Sequence, residues 1–316
     1  MKRVFLLFLT AFFISLCIMF SVGATDKKAD TIKYVEFNVT KEALQTAIEN
    51  DINTENEDIH LDCIQQLAYL GAKYGGDFSK YKQKDLNQFC NKLKNGESLA
   101  DITKDMKHYS YYEQAYTAVL NGMIKVFEEK DSNGEIKTTY GISWFSPIAN
   151  TFPFSHYDDF GAQRTYGYSR PHLGHDLMAA VGTPVIAVES GIVEALGWNQ
   201  YGGWRIGIRS DDSKRYWYYA HLRQNRPYAA GLKQGDRVEA GDVIGYVGRT
   251  GYSTTENVNG ITESHLHIGL ELIFDEKRRE KGYEIWVDMY ALTEVLQNHK
   301  STTIRNNETK EFTKLQ

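Results

Sequence analysis

The spacing of hydrophobic and polar positions changes near residue 131. From about Lys41 to Glu129, apolar residues recur every three or four positions, which is the spacing of amphipathic helices. Gly75-Gly76 and Asn95-Gly96 interrupt this pattern as helix stops. The candidate N-caps are Asp58, Asp77 and Ser98. The pattern predicts four or five short helices, followed by a turn or linker at 131–134.

After residue 134 the pattern becomes a series of short β-branched and apolar runs separated by turns rich in Gly, Asp and Ser, which is typical of an antiparallel β fold. The predicted strands are Pro184–Val188, Gly191–Leu196, Trp204–Arg209, Arg215–His221, Val238–Val247 and His265–Leu272. A short helix is predicted over Asp288–His299, with a polar tail that we expect to be mobile. The predicted fold class is therefore α+β multidomain, an N-terminal helical domain followed by a mainly antiparallel β domain.

The first 24 residues have the pattern of an export signal. Met1-Lys2-Arg3 is basic, and the run Val4–Val22 contains no charged residue. This run is long for a secretory signal and lies at the lower edge of membrane-spanning length. We therefore expect either a signal peptide cleaved after Ala24 or a signal anchor that attaches the chain to the membrane through residues 4–22. Because the basic residues come first, the rest of the chain lies outside in both cases.

Composition and charge exclude two classes of protein. With 42% hydrophobic and 24% charged residues, the chain can bury a core, so wholesale disorder is excluded. The formal net charge of -5 gives no electrostatic reason to expect a nucleic-acid partner. Cys63 and Cys90 lie among apolar residues at helical spacing. In an exported chain they could form a disulfide or remain buried thiols, and the sequence leaves both alternatives open.

Histidine and aspartate cluster in two motifs of the β region. The first is His172-Leu173-Gly174-His175-Asp176, and the second is His265-Leu266-His267 on a predicted strand. Alternate strand residues point to one face, so His265 and His267 can address a single site. His221 ends another predicted strand. Two imidazoles and a carboxylate are a common catalytic zinc set, which leaves one position for water, and further imidazoles nearby can shuttle protons.

Taken with neighbouring motifs in the same order, these residues resemble the lysostaphin-type (LytM-type) M23 family of zinc metalloendopeptidases. The resemblance covers about Phe160 to Leu270, roughly a third of the chain. The motifs that carry it are Phe160-Gly161-Ala162-Gln163-Arg164, His172-Leu173-Gly174-His175-Asp176, Gly182-Thr183-Pro184-Val185, Ser190-Gly191-Ile192-Val193, Tyr219-Ala220-His221-Leu222, Val238–Gly248 and His265-Leu266-His267.

The resemblance implies a function and a set of site residues. It implies one zinc ion per chain held by His172, Asp176 and His267, with His221 and His265 as catalytic imidazoles. It implies an exported, zinc-dependent peptidoglycan endopeptidase that hydrolyses peptide bonds of cell-wall stems or crosslinks. The alternative is a non-catalytic scaffold or activator of another wall hydrolase. Such a protein would lack some of these residues, whereas all five positions are filled here.

The predicted domains are 1–24 (signal peptide or anchor), 25–134 (helical domain and linker), 135–285 (β metallopeptidase domain) and 286–316 (short helix and tail).

Two features depart from the family pattern. His175 is expected to be a solvated loop residue, and Tyr252–Ser264 is an insertion expected to form a groove wall. Asp158-Asp159 could be a metal-binding pair, and a turn before Phe160 explains it as well. The histidines interpreted as isolated structural or surface residues are His60, His108, His156 and His299. The aromatic residues expected mostly to pack, with a minority lining a groove, are Trp198, Tyr201, Trp204, Trp217 and Tyr218.

Overall fold

A computed structural model describes residues 35–130 and 135–315. The predicted export segment at residues 1–24 and the linker at 131–134 lie outside the described residues. No helix within the described ranges is long and apolar enough to cross a membrane. The helices are α1 (Lys41–Asn53), α2 (Cys63–Tyr74), α3 (Gln83–Lys94), α4 (Leu99–Thr103), α5 (Tyr109–Leu120), α6 (Glu276–Arg279) and α7 (Tyr290–Leu296). The strands are β1 (Ile124–Lys130), β2 (Ile136–Ile142), β3 (Gln163–Arg164), β4 (Arg170–Pro171), β5 (His175–Met178), β6 (Pro184–Ile186), β7 (Gly191–Asn199), β8 (Gly203–Ser210), β9 (Arg215–Ala220), β10 (Arg237–Val238), β11 (Val243–Tyr246), β12 (His265–Leu272), β13 (Ile285–Val287), β14 (Thr303–Arg305) and β15 (Phe312–Lys314).

The helical region forms much as the spacing predicts. Helix α2 ends at Gly75, whose φ of 65° is a conformation that favours glycine. The side chain of Ser98 caps α4 by accepting a hydrogen bond from the Asp101 amide. The prediction that Asp58 caps the next helix is wrong, because the chain enters α2 four residues later and Asp62 caps it instead.

The helical prediction is also wrong over residues 124–129. This segment lies in β1, which pairs antiparallel with β2 from Ile124 opposite Ile142 to Lys130 opposite Ile136. The helical segment ends at Leu120, and the turn at Asn121-Gly122 redirects the chain, with φ of 83° at Gly122. The predicted boundary between residues 134 and 135 therefore falls between two strands that pair with each other. The chain from Lys33 to Gln316 forms one compact unit, and the division at 134/135 stays a prediction.

One antiparallel sheet carries the candidate site. Its strand order is β10-β7-β8-β9-β12-β13, and β5 pairs with the free edge of β12 beside β13. Ile206 of β8, Tyr219 of β9 and Ile268 of β12 are register neighbours and are fully buried. Strand residues alternate between faces, so the residues next to these three lie on the opposite, open face. The predicted strand Val238–Val247 is divided into β10 and β11 by a turn at Gly241, whose φ is 92°.

The C-terminal helix forms within its predicted range, but the expected mobility of the tail is wrong for the part that the structure describes. Strands β14 and β15 pair antiparallel from Thr303 opposite Lys314 to Arg305 opposite Phe312. The Phe312 amide donates to the Tyr246 hydroxyl over 3.0 Å, and its ring contacts Phe152 with centroids 5.5 Å apart. The polar composition of the tail did not indicate this packing, because a single aromatic residue, Phe312, makes many of the contacts.

Both internal cysteines are buried free thiols. The Cys63 amide donates to the Asp51 carboxylate, and burial raises the pKa of the Cys63 thiol well above its usual value. Burial likewise raises the pKa of the Cys90 thiol to about 11. Of the two alternatives, the described structure has the buried thiols.

A buried ion pair connects the helical region to the sheet. The guanidinium of Arg215 donates to both Glu189 carboxylate oxygens, over 2.9 Å and 2.7 Å, and to the Ala118 carbonyl in α5 over 3.1 Å. The indole of Trp217 donates to the same carboxylate over 2.9 Å. Glu189 therefore compensates the buried charge of Arg215, and Arg215 links β9 to α5.

We expect Glu189→Ala to lower the free energy of unfolding by about 3 kcal/mol, because the buried Arg215 then keeps only one carboxylate partner, the more exposed Asp212, and the Trp217 indole loses its acceptor. Urea unfolding followed by tryptophan fluorescence measures this loss. The matched control is Glu239→Ala, which removes one of the two carboxylate partners of the exposed Arg237 and should cost about 1 kcal/mol or less. Equal losses in the two variants would contradict the role assigned to Glu189.

Candidate metal centre and its cleft

Strand pairing brings the three predicted zinc ligands together. His267 of β12 is directly opposite Asp176 of β5, so their side chains share the open face. His172 lies just before β5, where its amide donates to the Ala162 carbonyl over 2.8 Å. Its carbonyl accepts from the Gly161 amide over 2.7 Å. The segment that follows Phe160 therefore positions the third ligand.

The geometry of the three side chains fits a metal ion. The Nδ1 atom of His267 lies 2.8 Å from His172 Nε2 and 3.0 Å from Asp176 Oδ1. His172 Nε2 lies 3.1 Å from the same Asp176 oxygen. Tetrahedral zinc, with ligand bonds of about 2.0–2.1 Å, requires donor atoms roughly 3.3 Å apart. Two nitrogens and one carboxylate oxygen are also the donor types that zinc prefers.

Gly174 leaves room for the His267 ring. A Cβ at this position would lie 2.6 Å from His267 Cε1 and 2.7 Å from the Ile268 carbonyl oxygen. Both separations are shorter than nonbonded carbon contacts allow. Glycine is therefore required for steric reasons at position 174, because any larger residue would displace β12, the strand that carries His267.

A second layer of charged groups holds the ligands. Arg164 donates to Asp176 Oδ2 over 2.9 Å and to Asp159 Oδ2 over 2.6 Å. The outer nitrogen of His172, Nδ1, lies 3.1 Å from Asp159 Oδ2. Burial opposes the effect, but hydrogen bonds with His172 and His267 lower the pKa of Asp176, which is an anion at neutral pH. Although burial opposes it, hydrogen bonds with Asp159 and Asp176 raise the pKa of His172 to about 9, so this ring must release a proton when it binds a metal ion.

Asp159 is expected to tune the metal affinity, because a carboxylate that accepts from a ligating imidazole fixes its tautomer and orientation. We predict that Asp159→Asn weakens zinc binding by about 10–100-fold, measured by competition with a chromogenic chelator. The neighbouring Asp158 is exposed, so Asp158→Asn is the matched control and should bind zinc as the unmodified protein does. Unchanged affinity in Asp159→Asn would contradict this role.

The two predicted catalytic imidazoles lie beside the ligands, and the Nδ1 atom of each is hydrogen-bonded to a backbone carbonyl. His221 Nδ1 lies 2.9 Å from the Thr250 carbonyl oxygen, and His265 Nδ1 lies 2.9 Å from that of Glu263. A carbonyl can only accept, so each Nδ1 carries a proton, and Nε2 is the nitrogen of each ring that is left for proton transfer. Their rings are 4.8 Å apart, and His265 Nε2 is 3.8 Å from Asp176 Oδ1. Burial lowers the pKa of His221 well below its usual value, so its ring is neutral at pH 7.

The expectation that His175 is a solvated loop residue is wrong. It lies on β5 with 1% of its surface exposed, because Asp176 occupies the open face and its neighbour must then point inward. His175 Nε2 lies 2.7 Å from His156 Nδ1, so His156 is not isolated either. His156 Nε2 is in turn 3.2 Å from Glu294 of α7, which pairs with Lys41 of α1. Asp158 and Asp159 do not act as a pair, since Asp158 is exposed whereas Asp159 contacts Arg164 and the ligand His172.

The candidate centre lies in a cleft of about 360 Å³ on the open face of the sheet. Of the aromatic residues expected mostly to pack, Tyr201 and Tyr218 line the cleft, whereas Trp217 is buried in the core. From the insertion at residues 252–264, Tyr252 lines the cleft and stacks on Tyr166 with centroids 4.6 Å apart. The remainder packs elsewhere, for example through Asn257, which accepts from the Trp204 indole over 2.9 Å.

The sequence motifs do not assign Asp159 a role in supporting His172, and they do not single out Arg205. Asp159 directly precedes the motif that begins at Phe160 and positions His172. This placement could have indicated a supporting carboxylate, because ligating histidines regularly need a second hydrogen-bond partner. For Arg205, which lines the cleft, a charged residue on a predicted strand is typical of a solvated face, so the sequence offered no signal.

Comparison with known proteins supports the resemblance. The family model described as "Peptidase family M23" matches residues 170–279. The L-Ala--D-Glu endopeptidase of Bacillus subtilis is 42% identical over 124 residues, which are 39% of this chain and 36% of that protein. Lysostaphin of Staphylococcus simulans is 39% identical over 89 residues, 28% of this chain and 17% of that protein. The chain thus spans little more than a third, or less, of these relatives.

A solved structure shows the fold over most of the chain. It is described as a putative glycyl-glycine endopeptidase lytM from Ruminococcus gnavus, and the TM-score is 0.55 at 22% identity. The alignment covers 84% of this chain and 91% of that chain. The helical N-terminal region and mainly antiparallel sheet therefore have a known counterpart. Together with the motifs in their expected order, the family match and the relatives show that residues 170–279 are similar to the peptidase M23 family.

Proposed function

We propose that the protein is a zinc-dependent endopeptidase that hydrolyses peptide bonds in the stems or crosslinks of peptidoglycan. The observation that carries this proposal is the convergence of His172 Nε2, Asp176 Oδ1 and His267 Nδ1 within 3.1 Å of one another in an open cleft. One zinc ion per chain would be held by these three atoms. When bound, zinc would supply Lewis acidity, lowering the pKa of water and polarising a carbonyl.

The chain's own residues would perform the remaining steps. His221 and His265 each leave Nε2 as the nitrogen available for proton transfer, and a general base must lie within hydrogen-bond reach of the proton that it takes. One of them would accept a proton from the attacking water, and the resulting imidazolium would donate to the developing oxyanion or the leaving amine. The carbonyls of Thr250 and Glu263 hold both rings in the tautomer that this requires.

The choice of peptidoglycan as substrate rests on the similar proteins. The named relatives are an L-Ala--D-Glu endopeptidase, a glycyl-glycine endopeptidase and a peptidoglycan DD-endopeptidase. Their names specify different peptide bonds, so we propose the shared class of substrate without choosing one bond. A cleft open at the surface also suits a polymeric substrate, which cannot enter an enclosed cavity.

Digestion of purified peptidoglycan tests this proposal directly. The zinc-loaded protein should release peptide fragments whose masses identify the bond cleaved, and a chelator should stop their release until zinc is restored. Fragments that form equally fast with the chelator would contradict zinc dependence. If the zinc-loaded protein released no fragment, the enzymatic function would be rejected in favour of the non-catalytic alternative.

We also propose that the protein acts outside the membrane, because Lys2 and Arg3 precede the uncharged run Val4–Val22. N-terminal sequencing of the protein from its native host should give a mature start at Thr25 if the signal is cleaved. An intact N-terminus in the membrane fraction would indicate attachment through residues 4–22. Full-length chain in the cytoplasm would overturn both the export and the wall substrate.

A further inference from the structure

One arginine in the cleft has no partner. Four arginines line the cleft, and three of them are engaged by other groups. Arg164 pairs with Asp159 and Asp176, Arg279 with Glu194 and Glu271, and Arg170 donates to the Tyr166 carbonyl while it lies over the Tyr201 ring. Within residues 35–130 and 135–315, the side chain of the fourth, Arg205, makes no hydrogen bond or ion pair, and its Nε atom is buried without a partner.

The sheet register puts Arg205 in line with a zinc ligand. Ile206 pairs with Tyr219, and Tyr219 pairs with Ile268. Moving one residue along each strand gives the row Arg205, Ala220 and His267 on the open face. Neighbouring strands are about 4.8 Å apart, so the Cα atoms of Arg205 and His267 are separated by roughly 10 Å.

Small residues leave space between Arg205 and the candidate metal centre. Ala220, the middle member of the row, has only a methyl side chain. The next open-face residue of β8 is Gly207, and a Cβ there would lie 1.9 Å from the Tyr216 hydroxyl oxygen. The Tyr216 hydroxyl therefore lies over the strand beside Arg205, and no described residue hydrogen-bonds to it. An unpaired cation and a hydroxyl thus border the same part of the cleft.

This arrangement has the chemistry of an anion site. A partly buried, unpaired arginine is energetically costly, and its planar fork matches a carboxylate with two parallel hydrogen bonds. An extended peptide advances about 3.3 Å per residue, and an arginine side chain reaches several ångströms from its Cα. A carboxylate bound by Arg205 would therefore belong to a residue within about two positions of the bond at the metal centre.

We propose that Arg205 is a specificity residue that binds a carboxylate of the peptide substrate close to the scissile bond, so that the cleft selects acidic peptides over their amidated forms. The proposal rests on the proposed peptidase function, since it names the chemistry that the same cleft recognises. It requires no bond to form or break at Arg205, which acts only through binding and orientation.

The test compares two substrates with two proteins. The substrates are a purified stem-peptide fragment with free carboxylates and the same fragment after carbodiimide coupling to ammonia, which converts carboxylates to carboxamides. Amidation should lower kcat/KM of the unmodified protein at least tenfold, mainly through KM. Arg205→Gln should show a similar loss on the free fragment and no further loss on the amidated one, with its zinc content unchanged. Arg205→Lys, which keeps the charge but not the fork, should be intermediate.

The controls separate this inference from the proposed function. Arg237→Gln removes an exposed arginine at the sheet edge and should behave as the unmodified protein on both substrates. Calorimetric binding of the free fragment needs no turnover, so weaker binding by Arg205→Gln would support the inference even if hydrolysis failed. Equal cleavage of both substrates by the unmodified protein would overturn it. So would an equal loss on both substrates in Arg205→Gln, which would indicate a structural role.

Discussion

His267→Ala is expected to reduce bound zinc from one ion per chain to near zero and to reduce peptidoglycan hydrolysis to background. His267 Nδ1 lies 2.8 Å from His172 Nε2 and 3.0 Å from Asp176 Oδ1, so its removal leaves two of three protein ligands. A catalytic zinc site with three protein ligands has no spare donor. Metal analysis after dialysis against a weak chelator measures the loss, and circular dichroism checks that the sheet is intact.

A matched histidine supplies the control for this experiment. His108 is exposed at the start of α5, and its side chain makes no capping hydrogen bond, so His108→Ala should keep both zinc and activity. If His267→Ala retained a full complement of zinc, the ligand assignment would be wrong. Loss of zinc in both variants would indicate general instability, which the unfolding curves would reveal.

The local spacing of the second histidine motif was informative because strand geometry is regular. On β12, the alternation of His265 and His267 with Leu266 required one polar and one buried face, and the structure has both. The same rule could have located His175 once Asp176 was assigned to the open face. The sequence does not predict a strand here, because β5 has four residues and no β-branched run.

Long-range contacts could not be predicted in the same way. The sequence predicts most of β1 as the end of the helical region, since Lys and Glu residues within β1 do not exclude a helix. Arg205 is unpaired because the nearby carboxylates pair with other arginines. Glu194, for instance, pairs with Arg209 and Arg279, residues far apart in the chain. Such pairings follow from the complete topology, which a single sequence does not specify.

Variants of the two remaining imidazoles should lose activity while they keep the metal. A positioned acid or base typically contributes about 10²–10⁴ in rate, so His265→Ala and His221→Ala should each lower kcat by that order. His265 Nε2 is 3.8 Å from Asp176 Oδ1, close enough to reach a reacting group at the centre without being one of the three converging donors. KM should change little, because proton transfer acts on the chemical step.

His221 requires a more careful substitution than His265. Its φ is 60°, a left-handed conformation that alanine adopts less readily than asparagine, so His221→Asn tests the imidazole while it preserves the turn.

Because burial lowers the pKa of His221, the ring stays neutral as pH falls below 7, and a base with this pKa keeps its lone pair into mildly acidic solution. We therefore expect activity that depends on His221 as a base to persist below pH 6.5. We expect both His221 variants to contain one zinc and both to be slow. Full activity in His221→Asn, or loss of zinc from either His221→Asn or His265→Ala, would show that the division between ligands and proton-transfer residues is wrong.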